Sequence, residues 1–279
     1  MRFAQKLEAS DRRRITLGTK EWADYTVNCI KGCYNNCRYC YARVIANRFH
    51  RSTHETWKKM KISNEMLKKK FGRRSGRAMF PSTHDIFDFS PFKEACLITL
   101  GNLLEDNNSV LITTKPRLAV VQGIIEHFEC HKEQIQFRFT ITSNNDGLLK
   151  FWEPNAPRYR ERLESLKYAF RQGFKTSVSI EPFLDYDPKK LMKAIEPYVS
   201  ESIWVGKMNY IARNGFSMLE ERYYNDVRKN YETSHMREIC NELSKNPKIR
   251  IKDSIRNQLL KSTGTNPLII SVLRARNTV

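Results

Sequence analysis

The feature that most restricts this chain is a repeated alternation of short apolar runs with amphipathic stretches, starting near residue 25 and continuing past residue 200. Residues 25–30, 77–81, 110–114, 135–142, 176–180 and 202–205 read as strands, because they are rich in β-branched and aromatic side chains and bounded by turn residues. Between them, residues 41–49, 92–104, 119–130, 158–172 and 188–195 carry helical periodicity, and Gly173 stands where a helix would stop. Parallel strands need long crossovers, which are almost always right-handed. Six such units therefore predict an α/β fold, a partial (β/α)6 barrel of TIM-like type, whose chemistry collects just after the strands. Two regions fall outside the alternation. Residues 51–76 read as a basic insertion in a barrel made by residues 1–208, and residues 209–279 as a C-terminal extension that closes its open side.

Four of the seven cysteines lie between positions 29 and 40. The first residues, Met1-Arg2-Phe3-Ala4, show no apolar run of signal-peptide type, and no stretch approaches the length of a membrane span, so a cytoplasmic location and no membrane partner are expected. In such a compartment, clustered thiols point to metal or redox chemistry rather than to disulfides. Cys33, Cys37 and Cys40 have the spacing C-x3-C-x2-C, after the first strand and at the opening of the first helix. Three thiolates on a tight loop suit three irons of a 4Fe-4S cluster, with the fourth iron left for a small molecule. Gly32 lets the loop turn closely before the first ligand. A structural zinc site wants four ligands, usually in two pairs, and Cys96, Cys130 and Cys240 are scattered. Cys29, on the expected strand, reads as a buried small hydrophobe.

Charge adds a second constraint. Lys and Arg number 49 against 30 acidic residues, and the first eighty residues hold 20 of the former and 6 of the latter. That field favours polyanions or phosphorylated ligands, although a lysine-rich solvated surface has the same composition.

The loop at the end of the first strand of a βα barrel resembles the radical S-adenosylmethionine superfamily, and further motifs resemble its spore photoproduct lyase-like branch. The likeness runs from Tyr25 to Met208 and rests on Tyr39-Cys40-Tyr41-Ala42, Thr83-His84-Asp85-Ile86, Thr113-Thr114-Lys115, Ile141-Thr142-Ser143, Glu153-Pro154-Asn155-Ala156-Pro157, Glu161-Arg162-Leu163 and Ser177-Val178-Ser179-Ile180-Glu181-Pro182. The resemblance implies a 4Fe-4S cluster on Cys33, Cys37 and Cys40, with S-adenosylmethionine chelated to the open iron. It also implies one-electron cleavage to a 5′-deoxyadenosyl radical, fed by an external donor of flavodoxin or ferredoxin type. Thr83 and His84 fall where the family contacts the cofactor. Tyr39 and Tyr41 fall where aromatic residues help hydrogen-atom return or pack around the cofactor.

Three strand ends make physical sense in the same frame. Lys115 would point its ammonium at the methionyl carboxylate, Ser143 its hydroxyl at the ribose or methionyl group, and Glu181 its carboxylate at ribose hydroxyls or a cationic substrate nitrogen. The plain readings are that Lys115 caps a turn before Pro116, that Ser143 caps the Asn144-Asn145-Asp146-Gly147 loop, and that Glu181-Pro182 ends a strand. One position departs from the photoproduct lyases: their hydrogen-donating cysteine aligns with Ser82, whose O–H bond is too strong for that task. The substrate expected is accordingly a modified nucleoside or nucleotide, as in a queuosine lyase that releases queuine. Repair of a thymine photoproduct or another nucleic-acid lesion is the alternative, and a non-catalytic iron–sulfur protein that binds nucleic acid is the third reading.

Overall fold

The structure is a computed structural model, and it describes residues 18–262. Seven strands form one parallel sheet. They are β1 (Tyr25–Thr26), β4 (Arg77–Phe80), β5 (Ser109–Thr114), β6 (Ile135–Thr140), β7 (Lys175–Ile180), β8 (Ile203–Val205) and β9 (Ile249–Ile251), hydrogen-bonded in that order. Two further strands, β2 (Ile30–Lys31) and β3 (Lys61–Ile62), make a separate antiparallel pair. The sheet curls into a half-barrel, so the α/β, TIM-like expectation holds with seven parallel strands in place of six. The helices Phe92–Glu105, Leu118–His127, Tyr159–Arg171 and Lys189–Ile195 follow β4 to β7. Among the described residues, no helix is long and apolar enough to cross a membrane.

The two faces of the sheet differ, and the strand sequences say why. In Ile135-Gln136-Phe137-Arg138-Phe139-Thr140, alternate residues are apolar, and successive side chains of a strand point to opposite faces. Ile135, Phe137 and Phe139 are fully buried in the main core, together with Val178, Ile180, Ile203 and Val205. Each such side chain contributes about 1.5–3 kcal/mol through burial. The inner face carries polar groups instead. Gln136 and Arg138 both donate to Ser177 Oγ, at 3.2 and 3.1 Å, and Arg77 donates to Gln136. The Arg138 guanidinium lies 4.8 Å from the Trp22 ring and 5.2 Å from the Trp204 ring, so this polar layer is roofed by aromatics.

Two expectations change. Residues 25–30 are not one strand: β1 enters the sheet, and β2 then leaves it to pair with β3. The basic insertion 51–76 supplies β3 and accepts the Cys33 N–H on the Trp57 carbonyl at 3.0 Å, so it braces the cysteine loop. Past residue 209, Ile249–Ile251 adds the seventh strand beside β8. Residues 263–279 of the expected extension lie outside the described residues.

Candidate active site

A chamber of about 750 Å3 opens at the C-terminal ends of the strands. Cys33, Cys37 and Cys40 stand on its wall, and so do Tyr39, Tyr41, Thr83, His84, Lys115 and Glu181. Of the residues expected at the site, Ser143 alone is missing from the wall. It is fully buried, donates to Asp185 Oδ1 at 2.7 Å and accepts the Asn145 N–H at 2.8 Å. Its hydroxyl caps the loop that follows β6, the plain reading of this position.

The cysteine loop is shaped by local sequence and clamped by distant residues. Gly32 has φ 88°, and a Cβ there would lie 2.6 Å from the Trp57 carbonyl oxygen, so no other residue fits without displacing the backbone. Cys40 caps the helix Tyr41–Arg48, its Sγ accepting the Arg43 N–H at 3.4 Å. Around the loop, Arg38 N–H donates to the Trp152 carbonyl at 2.8 Å and Asn155 Nδ2 to the Tyr34 carbonyl at 2.9 Å. Arg117 donates to Asn35 Oδ1 at 2.9 Å, and the Tyr41 hydroxyl donates to the Ser82 carbonyl.

Two carboxylates, present in the motifs but given no role in the sequence reading, organise this end. Asp85, 5% exposed, accepts from Asn35 and Thr114 side chains, from Ile86 N–H at 2.8 Å and from Lys115 N–H at 3.2 Å. It thereby ties the cysteine loop to the end of β5. Glu153 and Arg162 are both fully buried and paired, and Glu153 also accepts from Tyr39 Oη and, at 2.7 Å, from Thr142 Oγ1. Burial works against the Glu153 charge, yet Arg162, Lys115 and the two hydroxyls outweigh it and hold its pKa below the ordinary value. For Tyr39, burial and then the Glu153 charge push the phenol's pKa well up, which keeps it a donor.

Lys115 Nζ sits 5.5 Å above the Tyr39 ring. Burial opposes its charge, but Cys37, Glu153 and Asp85 together raise its pKa. His84 accepts the Cys29 N–H on Nε2 at 3.2 Å, which leaves Nδ1 as the protonated nitrogen, donating to the Asp85 carbonyl at 2.9 Å. Its ring is thus fixed from behind while one face looks into the chamber. Asn28 locks the next segment: it accepts from Ser82 and Thr83 N–H, both at 2.8 Å, and donates to Ser82 Oγ at 2.9 Å.

The thiols suit a cluster better than a single ion. Among the described residues, no three His, Cys, Asp or Glu side chains converge as one metal ion requires, whereas a cubane takes each thiolate on its own iron. Cys29 supplies no fourth ligand. It is fully buried in the main core, its Sγ 3.8 Å from Cys96 Sγ. Burial pushes the Cys33 and Cys37 thiols up, Cys37 to about 12, so iron must compete with protons for them.

Apart from Glu181, the opposite wall of the chamber comes from segments with no motif. Lys252, 2% exposed, follows β9 and reaches Glu21 Oε1 at 3.1 Å, Glu181 Oε2 at 3.4 Å and the Gly18 carbonyl at 3.0 Å, 4.0 Å above the Trp22 ring. Burial pushes the Glu21 carboxyl up to about 7 against the pull of Lys252, and raises Glu181 as well. Gly206 makes room for Glu181, since a Cβ there would stand 2.8 Å from its carboxyl carbon.

The sequence matches the radical SAM superfamily over residues 27–196. The chain belongs to that family and is a radical SAM enzyme. Membership implies a 4Fe-4S cluster and S-adenosylmethionine. Among similar proteins are uncharacterized proteins of Methanocaldococcus jannaschii, 25% identical over 58% of this chain and 61% of the relative, and of Acidianus two-tailed virus, 25% identical over 63% and 61%. The chain thus matches less than two thirds of each relative's length. Solved structures with a similar fold include spore photoproduct lyase complexed with dinucleoside spore photoproduct (TM-score 0.50, 15% identity, 77% of this chain and 64% of that one). They also include Streptococcus suis SuiB bound to precursor peptide SuiA (TM-score 0.52, 11% identity, 94% and 54%). At these identities the likeness is one of fold.

Proposed function

We propose that this enzyme is a lyase for a modified nucleoside or nucleotide, of the kind that releases queuine from a queuosine-type substrate. The observation that carries the reading is the chamber itself. Its volume suits small ligands, and among the described residues the thiols on its wall are Cys33, Cys37 and Cys40. At the position where the photoproduct lyases carry their hydrogen donor stands Ser82, held by Asn28. A photoproduct-type return of hydrogen from a wall thiol therefore has no donor among the described residues. Repair of a nucleic-acid lesion is the second reading, supported by the fold shared with spore photoproduct lyase.

In this reading Cys33, Cys37 and Cys40 hold the cluster, which with S-adenosylmethionine supplies a one-electron step and a hydrogen-abstracting radical. Lys115 binds the methionyl carboxylate, with Tyr39 beneath it and Asp85 fixing the backbone at its root. Thr83 and His84 line the cofactor's side of the chamber, and Tyr41 fixes the Ser82 turn. Glu181 accepts hydrogen bonds from ribose hydroxyls or from the substrate. An external donor of flavodoxin or ferredoxin type delivers the electron.

The test is anaerobic reconstitution with dithionite and S-adenosylmethionine, followed by parallel incubation with irradiated DNA, with queuosine and with its 5′-phosphate. Base release with 5′-deoxyadenosine formation from queuosine or its phosphate is expected. Turnover of the irradiated DNA alone would sink the reading in favour of lesion repair.

A further inference from the structure

The outside of the cysteine loop carries positive charge that no protein carboxylate neutralises. β2 and β3 set Ile30 opposite Ile62 and Lys31 opposite Lys61. Ile30 is buried in the main core and Ile62 packs against it, so the two lysines share the outward face, and both are exposed. Like charges placed directly across a strand pair destabilise it. Lys58 and Lys59, in the turn just before β3, add two more exposed ammonium groups. Among the described residues, none of the four has a carboxylate at ion-pair distance. The insertion 51–76 as a whole holds nine Lys and Arg residues against Glu55 and Glu65.

This basic ribbon is built onto the cluster ligands. Lys31 precedes Cys33 by two residues. The Cys33 N–H donates to the Trp57 carbonyl at 3.0 Å, and a Cβ on Gly32 would stand 2.6 Å from that oxygen and 3.4 Å from the Lys59 carbonyl. Trp57 shares a small core with Cys33, and Cys40 and Met60 pack against it. The cysteines face the chamber, whereas none of the four lysines lies on its wall. An acidic partner held by these lysines therefore rests against the shell of the cluster and puts nothing into the chamber. A substrate or a cofactor has to enter the chamber to react. A partner that needs the cluster alone is one that exchanges electrons with it.

We infer that Lys31, Lys58, Lys59 and Lys61, on the β2–β3 ribbon and the turn before it, are the docking surface for the acidic electron-transfer protein that reduces the cluster. This rests on the external donor of the reading above and names the surface that receives it. One electron leaves the donor's reduced flavin or iron–sulfur centre, which is oxidised by one, and the cluster is reduced by one. No bond, proton or group moves. Lysines suit the task, because solvated point charges on flexible stems steer an encounter without locking it. Electron-transfer encounters are small and brief, so the donor can leave after each electron. An acidic partner also relieves the repulsion between Lys31 and Lys61.

The test compares a reductant that must dock with one that need not. Bleaching of the reconstituted cluster is followed by anaerobic stopped flow, without substrate. Reduced flavodoxin and a reduced ferredoxin are the protein donors, and photoreduced 5-deazariboflavin is the small uncharged one. In the double variant Lys59→Glu, Lys61→Glu, the bimolecular rate with the faster protein donor should fall about tenfold at low ionic strength. The difference from wild type should shrink at about 0.5 M salt. Bleaching by deazariboflavin should keep its wild-type rate. Lys61→Glu alone sets a carboxylate opposite Lys31, so it should raise the unfolding midpoint while slowing the protein donor. A merely structural role for Lys61 would leave the donor rate alone. If the double variant does not hold a cluster, Lys61→Glu and Lys58→Glu carry the comparison. Unchanged rates with the protein donors, equal slowing with deazariboflavin, or no reduction of the wild type by either protein overturns the inference. So does a single-stranded oligonucleotide whose binding is lost in the variants while the donor rates stay the same, which would assign the ribbon to nucleic acid. The lyase reading is tested apart from this one, by products formed with dithionite and no protein donor.

Discussion

The two walls of the chamber are held by different means. The cysteine-loop wall is overdetermined: β4, β5 and β6 each send groups into it, through Asp85, Arg117, Glu153 and the Trp152 carbonyl. The opposite wall centres on one ammonium, Lys252, which gathers Glu21, Glu181 and Gly18, with Asp253 N–H also donating to Glu21 Oε2 at 3.0 Å. A wall that positions a metal cluster must keep its shape with or without a ligand, because misplacement by an ångström is costly in rate. On the proposed reading the second wall meets the substrate, a task that tolerates fewer fixed contacts.

Breaking the first wall at its centre should have the largest effect. Cys37→Ala is expected to abolish the brown absorbance of the reconstituted protein and its bound iron; retention of a full cluster would contradict the ligand assignment. Next comes Arg162→Met, which strands the Glu153 carboxylate in a fully buried site. It should lose about 3–5 kcal/mol in denaturant unfolding, and an unchanged midpoint would show the pair to be dispensable. Lys252→Met strands two carboxylates, but Glu181 borders the chamber and can be hydrated there. About 2–3 kcal/mol is expected, with the cluster absorbance intact. Loss of that absorbance would show that the walls are coupled. The smallest effect sharpens the comparison by pH. Glu21 has a folded-state pKa raised to about 7 from 4.5, so its contribution is present below about pH 4.5 and is lost as pH rises through 7. Allowing for its partial exposure, stability should fall by about 1–2 kcal/mol across that window. Glu21→Gln should flatten the fall, measured by unfolding at a series of pH values.

The same division explains what the sequence disclosed. Strands β4 to β8 are legible because each alternates or runs apolar locally, as in Ile135–Thr140. The cysteine loop is legible because its chemistry sits within eight residues. Asp85, Glu153 and Arg162 stood in recognisable motifs, but their roles depend on what they touch across the fold. β9 is three residues, Ile249–Ile251, too short for periodicity to reveal, and the break between β1 and β2 depends on a partner thirty residues away. Glu21 and Lys252 carry no local signature, because their pairing exists only where distant segments meet. Ser143 shows the converse: its place after a strand is legible in the sequence, whereas the engagement of its hydroxyl by Asp185, 42 residues on, is not.

The bond from Lys252 to the Gly18 carbonyl joins residues 234 positions apart in the chain. Contacts of such separation carry a large loop-closure entropy and cannot form until the chain has been synthesised through β9. During synthesis, then, the cysteine loop and the strands that clamp it can be in place while the far wall is still missing.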